Sequence, residues 1–370
     1  MSSTTRRSGT DKGLRIAVIG SRGIPARYGG FETFAQELAP RLVRLGHDVT
    51  VYCRSGYTGS QPEYRGVRLV HTPYLRARPL ETLSHELTSI LDSLRRGFDV
   101  YYFLGTRSSI LYWPLRVAGR RIVVHTDGIE WKRRKWGPAG RAWLRFSEWF
   151  AARVVAGQLV TDARAMRDHY LERYGVPSAC IPYGAPLLEG EPDLGRFGLE
   201  PGGYHLVVCR LEPENNVDEI IAAFIASGSG LGLVVVGDAE TATGRELVDQ
   251  AAGANVRFIG PVYGDDLAAL RLGADSYVHG HEVGGLNPSL LEAMGAGNAC
   301  LALDTPFNRE ALAGTGRFWR DAASLASLID WVEQERGASG ELGSAARERA
   351  AVNYDWDEVA AEHDRLFRSL

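Results

Sequence analysis

The stretch Val278-His279-Gly280-His281-Glu282-Val283-Gly284-Gly285-Leu286-Asn287-Pro288-Ser289-Leu290-Leu291-Glu292-Ala293-Met294 runs from an apolar segment through a glycine loop into a helical pattern. Residues 276–278 read as a strand. Pro288 suits a first helical turn, where its missing N–H is no loss, and Leu290, Leu291 and Met294 give that helix an apolar face. A strand, a glycine loop and a helix N-terminus in that order present backbone N–H groups and a positive dipole end to an anion. Gly284, Gly285, Asn287, Ser289 and Leu290 are therefore candidates to surround a phosphate. Glu292, one turn inside a rigid element, is placed to meet sugar hydroxyls. The segment predicts a site for a phosphate-bearing sugar.

Outward from this segment, apolar runs of strand length alternate with helix-period stretches along the whole chain. Residues 14–19, 48–53, 67–70, 100–104, 121–125, 154–160 and 180–181 read as strands of a first sheet. Residues 204–209, 231–236, 256–259, 276–278 and 299–303 read as a second set, with helices over 31–45, 217–226 and 265–272 among those between them. Such alternation predicts parallel sheets covered on both faces, with ligands at the carboxyl ends of the strands. At 370 residues the chain is long enough for two such domains. We expect a tail over 1–12, a first domain over 13–185, a second over 186–351 and a closing helix over 352–370. The turn-rich Pro182-Tyr183-Gly184-Ala185-Pro186 marks the boundary.

Composition is that of a globular protein, 45% hydrophobic and 24% charged, and no apolar run approaches the ~20 residues of a membrane span. Cys53, Cys180, Cys209 and Cys300 are scattered, which disfavours a zinc site and fits buried thiols in a reducing cytosol. The net charge of −3 hides an asymmetry. Residues 1–185 carry 29 Lys+Arg against 15 Asp+Glu, whereas residues 186–370 carry 13 against 30. A basic half beside an acidic one predicts that the first domain meets something anionic, or that the halves attract each other.

The loops after the strands hold the candidate chemistry. After the first strand, Gly29 and Gly30 lead into a helix, and Arg22 and Arg27 add charge; a tight turn is the plainer reading of the glycines. The Gly-x-Gly-x-x-Gly fingerprint is absent, which disfavours a nicotinamide dehydrogenase. After the fifth strand come His125, Asp127 and Glu130, three titratable groups within six residues. The cationic run 132–135 follows, interleaved with Trp131, Trp136, Trp143, Phe146, Trp149 and Phe150. That mixture suits an anionic membrane surface, and equally a solvated helix face. Arg210, just past a strand of the second set, is suited to clamp a diphosphate, with pairing to Glu212 or Glu214 as the duller option. Arg309 is a second phosphate candidate.

The chain resembles family-4 glycosyltransferases of the GT-B fold over nearly its whole length. Gly29-Gly30-Phe31-Glu32 followed by Leu38, Leu42 and Gly46-His47-Asp48-Val49 is similar to that family's opening. A narrower resemblance is to bacterial rhamnosyltransferases of cell-surface polysaccharide synthesis. It is carried by Gly23-Ile24-Pro25-Ala26-Arg27-Tyr28-Gly29-Gly30-Phe31-Glu32-Thr33, by Asp127-Gly128-Ile129-Glu130-Trp131-Lys132-Arg133, and by Pro213-Glu214-Asn215-Asn216. His279-Gly280-His281, Asn287-Pro288-Ser289-Leu290-Leu291-Glu292-Ala293-Met294 and Phe307-Asn308-Arg309-Glu310 add to it.

The resemblance implies two doubly wound, Rossmann-like α/β domains facing a central cleft, with a C-terminal helix closing back on the first. It implies retaining, metal-independent transfer, without a cofactor, of rhamnose from dTDP-rhamnose onto a lipid-linked saccharide. The protein would be cytoplasmic and peripheral at the inner membrane face, with no nucleic-acid partner. Glu292 matches the second of the wider family's paired glutamates, the one that binds the nucleotide's sugar ring. The first glutamate's position holds Gly284, so donor-sugar recognition is open, with Glu282 as a substitute. The family's arginine–lysine pair for the diphosphate becomes Arg210 with Asn215. His125 falls where retaining members carry a histidine near the reacting sugar, and Asp127 and Glu130 resemble the subfamily's own acidic pair. Asp127 is then expected to assist as base or electrostatic partner while His125 orients the sugar. Two other readings stand beside this one: a UDP-hexose donor, and a nucleotide-sugar-binding scaffold that has lost catalysis.

Overall fold

The computed structural model describes residues 13–27, 29–57, 59–77, 80–126 and 128–370. Asp127, a catalytic candidate, lies outside them, as does the expected tail.

The first sheet holds β1 (Arg15–Ile19), β2 (Asp48–Arg54), β3 (Glu63–Tyr64), β4 (Val67–Thr72), β5 (Val100–Leu104), β6 (Arg121–His125), β7 (Gln158–Thr161) and β8 (Ala179–Cys180). Their order is β3-β4-β2-β1-β5-β6-β7-β8, parallel except for the β3–β4 hairpin. The second sheet holds β9 (Tyr204–Val208), β10 (Gly232–Val236), β11 (Val256–Phe258), β12 (Ser276–His279), β13 (Ala299–Leu303) and β14 (Arg317–Trp319), in the order β11-β10-β9-β12-β13-β14 and parallel throughout. Helices α1 (Gly30–Arg44), α2 (Leu80–Arg96), α3 (Trp113–Val117), α4 (Pro138–Phe150) and α5 (Arg164–Tyr174) accompany the first sheet. With the second go α6 (Val217–Ser227), α7 (Ala242–Gln250), α8 (Gly264–Leu272), α9 (Pro288–Ala296), α10 (Pro306–Leu312) and α11 (Ala322–Gln334). Then follow α12 (Arg336–Asn353) and α13 (Trp356–Ser369).

Central strands are apolar without interruption because helices cover both faces: β5 is buried at every position, as are residues 16–19 of β1. Strand order reverses between β1 and β5 in one sheet and between β9 and β12 in the other. In open parallel sheets these reversals leave a crevice at the carboxyl ends of the strands, and here both crevices open on one interdomain cleft.

The chain crosses between domains at 183–188 and again before α13. The two crossings touch: the Ala185 N–H donates to the Tyr354 carbonyl at 2.7 Å, and a Cβ on Gly184 would lie 2.3 Å from the Trp356 ring. Helix α13 then lies on the first domain. Asp357 pairs with Arg41 and Arg44, Asp364 with His47, and His363 Nε2 meets the Tyr102 hydroxyl at 2.9 Å. Asp355 caps this helix by accepting from the Asp357 and Glu358 N–H groups, so the Asp355-Trp356-Asp357 string serves capping.

Two expectations need correction. The apolar run 154–160 is not one strand: residues Ala151–Val155 are a wide helical turn continuing α4, and the strand begins at Gln158. Strands β3 and β14, of two and three residues, went unread because each is short and carries a charge.

Candidate active-site cleft

The loop after β1 is folded onto the first turn of α1 by two side chains of that helix. Glu32, buried, accepts from the Arg22 N–H at 2.7 Å, and Gln36 accepts from the Ala26 N–H at 2.8 Å. Burial raises the Glu32 carboxyl above its usual range, opposed by that N–H. Gly30 faces Pro288 of the second domain, with room for a Cβ 3.4 Å from the proline ring.

Across the cleft, the loop 280–287 interlocks with two first-domain loops. A Cβ on Gly128 would lie 2.4 Å from Gly284 Cα, and one on Gly285 would lie 1.9 Å from Asp162 Oδ1. Gly284 has φ +144°, a conformation side chains rarely adopt. A side chain at Gly284 would be strained by that backbone conformation, and its Cβ would lie 3.1 Å from His281 Nε2. Asp162, buried at the end of β7, was not anticipated; its neighbour Thr161 ends an ordinary apolar strand, and nothing local marks the carboxylate.

Helix α9 departs from the expected anion cradle. Pro288 has no N–H, the Ser289 N–H donates to Asn287 Oδ1 at 3.0 Å, and the Leu290 N–H donates to the Asn287 carbonyl at 3.0 Å. Asn287 thus caps the helix with its own atoms. The Ser289 hydroxyl bonds the Val208 carbonyl at 3.0 Å and the Tyr277 hydroxyl at 2.7 Å, tying α9 to β9 and β12. Leu290 is wholly buried. In this arrangement Asn287, Ser289 and Leu290 build the helix start, and Gly284 and Gly285 form the bare loop before it. Glu292 is different. It accepts from Arg271, a buried arginine of α8, and lines a cavity of about 410 Å³ bounded by Thr33, Glu37, Tyr183, Tyr263 and Trp356.

Arg210 stands at the carboxyl end of β9, and its carbonyl accepts from Asn215 Nδ2 at 2.7 Å. Asn215 is buried, and its Oδ1 meets His281 Nδ1 at 2.9 Å, so both ends of its amide are engaged inside the second domain. Asn216 Nδ2 donates to the Gly280 carbonyl at 2.9 Å, and the Glu282 N–H to the Glu214 carbonyl at 3.0 Å. The Pro213-Glu214-Asn215-Asn216 string knits the β9 loop to the β12 loop.

Arg309 is engaged by an acid of its own domain. It makes a forked pair with Asp304 at the surface, joined by Arg320, and together they hold the Asp304 carboxyl down at about 2. Its neighbours reach the cleft instead. Asn308 donates to the His281 carbonyl at 3.2 Å, and Glu310 accepts from the Arg164 N–H at 2.8 Å, capping α5 of the other domain.

The first-domain candidates are buried more deeply than their strand-end positions suggest. His125 is fully enclosed, its ring against Phe31, Phe34, Tyr102 and Tyr183. It stands beneath the cleft floor. Glu130 pairs with Arg107 at 2.7 Å and with Arg133 at 2.7 Å, and Arg133 reaches Glu214 of the second domain at 3.6 Å. Arg134 pairs with Glu282 at 2.8 Å. The cationic run therefore does not face outward as a unit: two of its members fasten the basic domain to the acidic one. Trp131 is likewise tied down, donating to the buried Glu148 at 3.1 Å beneath Arg145. What stays displayed is Trp143, Phe146 and Trp149 on α4.

Residues 200–349 match the family model described as glycosyl transferases group 1. Residues 200–349 are thus similar to group 1 glycosyltransferases, and the two parallel-sheet domains facing one cleft have the architecture of the GT-B fold. Residues 14–186 match a model described as a domain of unknown function, DUF1972. No curated protein matches the sequence. Among solved structures, the chain is similar to sucrose-phosphate synthase from Thermosynechococcus elongatus, with 20% identity, a TM-score of 0.81, and 96% of this chain and 98% of that one covered. It is similar to Anabaena HepE, solved in complex with UDP-glucose, at 17% identity and a TM-score of 0.79 over 96% and 100% of the two chains. A glycosyltransferase from Rickettsia africae gives 14% identity and a TM-score of 0.76 over 97% and 98%.

Proposed function

We propose that this chain is a retaining glycosyltransferase that moves a sugar from a nucleoside diphosphate donor onto a lipid-linked saccharide. The observation that carries this reading is Glu292. In a domain similar to group 1 glycosyltransferases it is aimed into the cleft by a buried arginine, one turn inside a helix at the switch point, with Arg210 on the neighbouring strand end. A carboxylate fixed this way takes two ribose hydroxyls, and Arg210 meets the diphosphate. Loss of the sugar–phosphate bond leaves a cationic sugar and a diphosphate with increased negative charge, which preorganised donors stabilise without rearranging. With front-face attack, the leaving phosphate oxygen accepts the acceptor's proton. Asp127 assists as base or electrostatic partner, and His125 acts from below as a positioning residue by setting Phe31 and Tyr183.

Rhamnose from dTDP-rhamnose is the donor favoured by the sequence strings. UDP-hexose is the second reading, supported by the HepE complex with UDP-glucose. The acceptor would be met at the cytoplasmic face of an anionic membrane. Supporting this, Trp143, Phe146 and Trp149 of α4 are exposed beside Trp113 and Val117 of α3, and Leu87, Leu91 and Leu94 form an exposed stripe on α2. The turn Ser109–Tyr112, with Ile110 exposed, packs near both α2 and α4, and arginines 116, 120, 141 and 145 are exposed around α3 and α4. No helix among the described residues is long and apolar enough to cross a membrane.

The decisive experiment is a thermal melt against dTDP-rhamnose and a panel of UDP-sugars, followed by donor hydrolysis assays. One donor should raise the transition temperature and be slowly hydrolysed. Asp127→Asn should keep the thermal shift and lose turnover. No shift with any nucleotide sugar would sink the reading, and binding without hydrolysis would favour a scaffold.

A further inference from the structure

A diphosphate leaving group calls for more than one cation, and the second domain offers few. The chain has no lysine after Lys135. Asn215 is bound at both ends, and Arg309 is held by Asp304. Arg210 remains, in no ion pair among the described residues. The cross-cleft pairs Arg133–Glu214 and Arg134–Glu282 carry the next residue, Lys135, from the first domain to the β9 loop of the second. There it lies within electrostatic reach of Arg210 and Glu212. Its ammonium sits 5.8 Å from the centre of the Trp136 ring, solvent-accessible and in no salt bridge among the described residues. Partial burial lowers its pKa, and Arg133 and Arg210 push the same way. Glu212 and Glu130 oppose that push, so the site holds cations and carboxylates together.

We propose that Lys135 supplies the second cation of the diphosphate clamp from the first domain, opposite Arg210, so that the clamp is complete only when the two domains meet. This rests on the cleft being the nucleotide-sugar site. It gives the run 132–135 a use the sequence did not reveal: two arginines fasten the domains and the lysine beside them meets the ligand.

The test uses the full chain, titrated with UDP and dTDP by calorimetry, and with uridine and thymidine by saturation-transfer NMR. Lys135→Ala should weaken the diphosphate that binds by about tenfold or more and leave its nucleoside within about twofold, whereas Lys135→Arg keeps most of the affinity. Equal weakening of nucleoside and diphosphate in Lys135→Ala overturns the proposal, since a misplaced loop would do that. If Arg210→Ala loses about tenfold while Lys135→Ala stays within about twofold, Lys135 is excluded and the cleft reading stands. If wild type binds neither diphosphate, or neither variant matters, the cleft reading itself fails and the proposal falls with it.

Discussion

Arg133 of the first domain and Glu214 of the second approach to 3.6 Å, and both side chains are almost wholly shielded from water. Glu130 lies on the other side of the same guanidinium at 2.7 Å. Two buried carboxylates thus share one arginine, with Arg107 joining from the rim. Removing one member of a buried network strands its partners, at a cost of about 3–5 kcal/mol. Arg133→Met should therefore lower stability by that order, because it leaves Glu130 and Glu214 facing each other. Adding Glu214→Gln to Arg133→Met should recover part of the loss. Urea unfolding of the two single variants and the double variant gives the coupling, and strict additivity would show that the pair is idle.

Gly285 and Asp162 make a second cross-cleft contact, with no space between them. A methyl group on Gly285 would meet Asp162 Oδ1 at 1.9 Å. Gly285→Ala should lower the melting temperature by several degrees and open the cleft. Asp162→Ala in the same chain should restore the melting temperature, because the obstructing atoms are gone. A Gly285→Ala protein as stable as wild type would mean that the loop yields freely.

Arg271 carries no cue in the sequence; it reads as an ordinary surface cation late in a helix. In the structure it is buried and holds the Glu292 carboxylate. Arg271→Met should leave Glu292 misaimed, raising the donor KM by about tenfold while changing kcat little, as expected for loss of ground-state and transition-state binding alike. A fall in kcat with KM unchanged would place Glu292 in the chemical step instead.

These cases mark where the sequence is readable. The strands of both sheets announce themselves because a strand buried on both faces is a continuous apolar run, as in Val100–Leu104 and Ala299–Leu303. Glu292 and Arg210 stand where the sequence puts them, in a helix start and past a strand end, because those are local signals. The partners of Asn215, Arg309 and Glu130 are not legible in the sequence for the opposite reason: a side chain's partner is set by tertiary approach. Asn215 turns to His281, sixty-six positions away, and Glu130 reaches a second-domain acid only through Arg133. The interleaving of Gly128 with Gly284 is of the same kind. Periodicity reports which face is buried and is silent on what lies against it.

His363 gives the fold a dependence on acidity. Its Nδ1–H donates to the Val359 carbonyl at 2.8 Å and its Nε2 accepts from the Tyr102 hydroxyl at 2.9 Å, so the buried ring is neutral. Burial pushes its pKa down to about 3, from an ordinary 6.5. As pH falls below about 6.5 the unfolded chain takes up a proton that the folded chain refuses, so stability declines toward pH 3. Each pH unit inside that window costs about 1.4 kcal/mol for this group. His279 adds a like contribution, its pKa also lowered to about 3 by burial. His363→Phe, set among Phe34, Tyr102 and Phe367, should flatten the stability slope between pH 6 and pH 4.5 by about that amount per unit. Urea unfolding at three pH values checks it, and an unchanged slope would show that His363 is protonated in the native state.

The last prediction separates the two uses of the basic half. If the cationic run were the membrane contact, neutralising it would release the protein from lipid. Arg133 and Arg134 are instead committed to Glu214 and Glu282, which leaves docking to the exposed rings of α4 and the arginines around them. Wild type should bind phosphatidylglycerol vesicles at low salt and release them as ionic strength rises, since contacts beyond a Debye length of about 10 Å at 0.1 M are screened. Replacing Trp143, Phe146 and Trp149 by serine should abolish binding and lower the melting temperature by some degrees, because the half-covered rings also pack on one another and on Phe150. Donor hydrolysis in that variant should persist, because none of the three rings lines the cleft cavity. Vesicle binding that survives the triple replacement would move the membrane contact to another face.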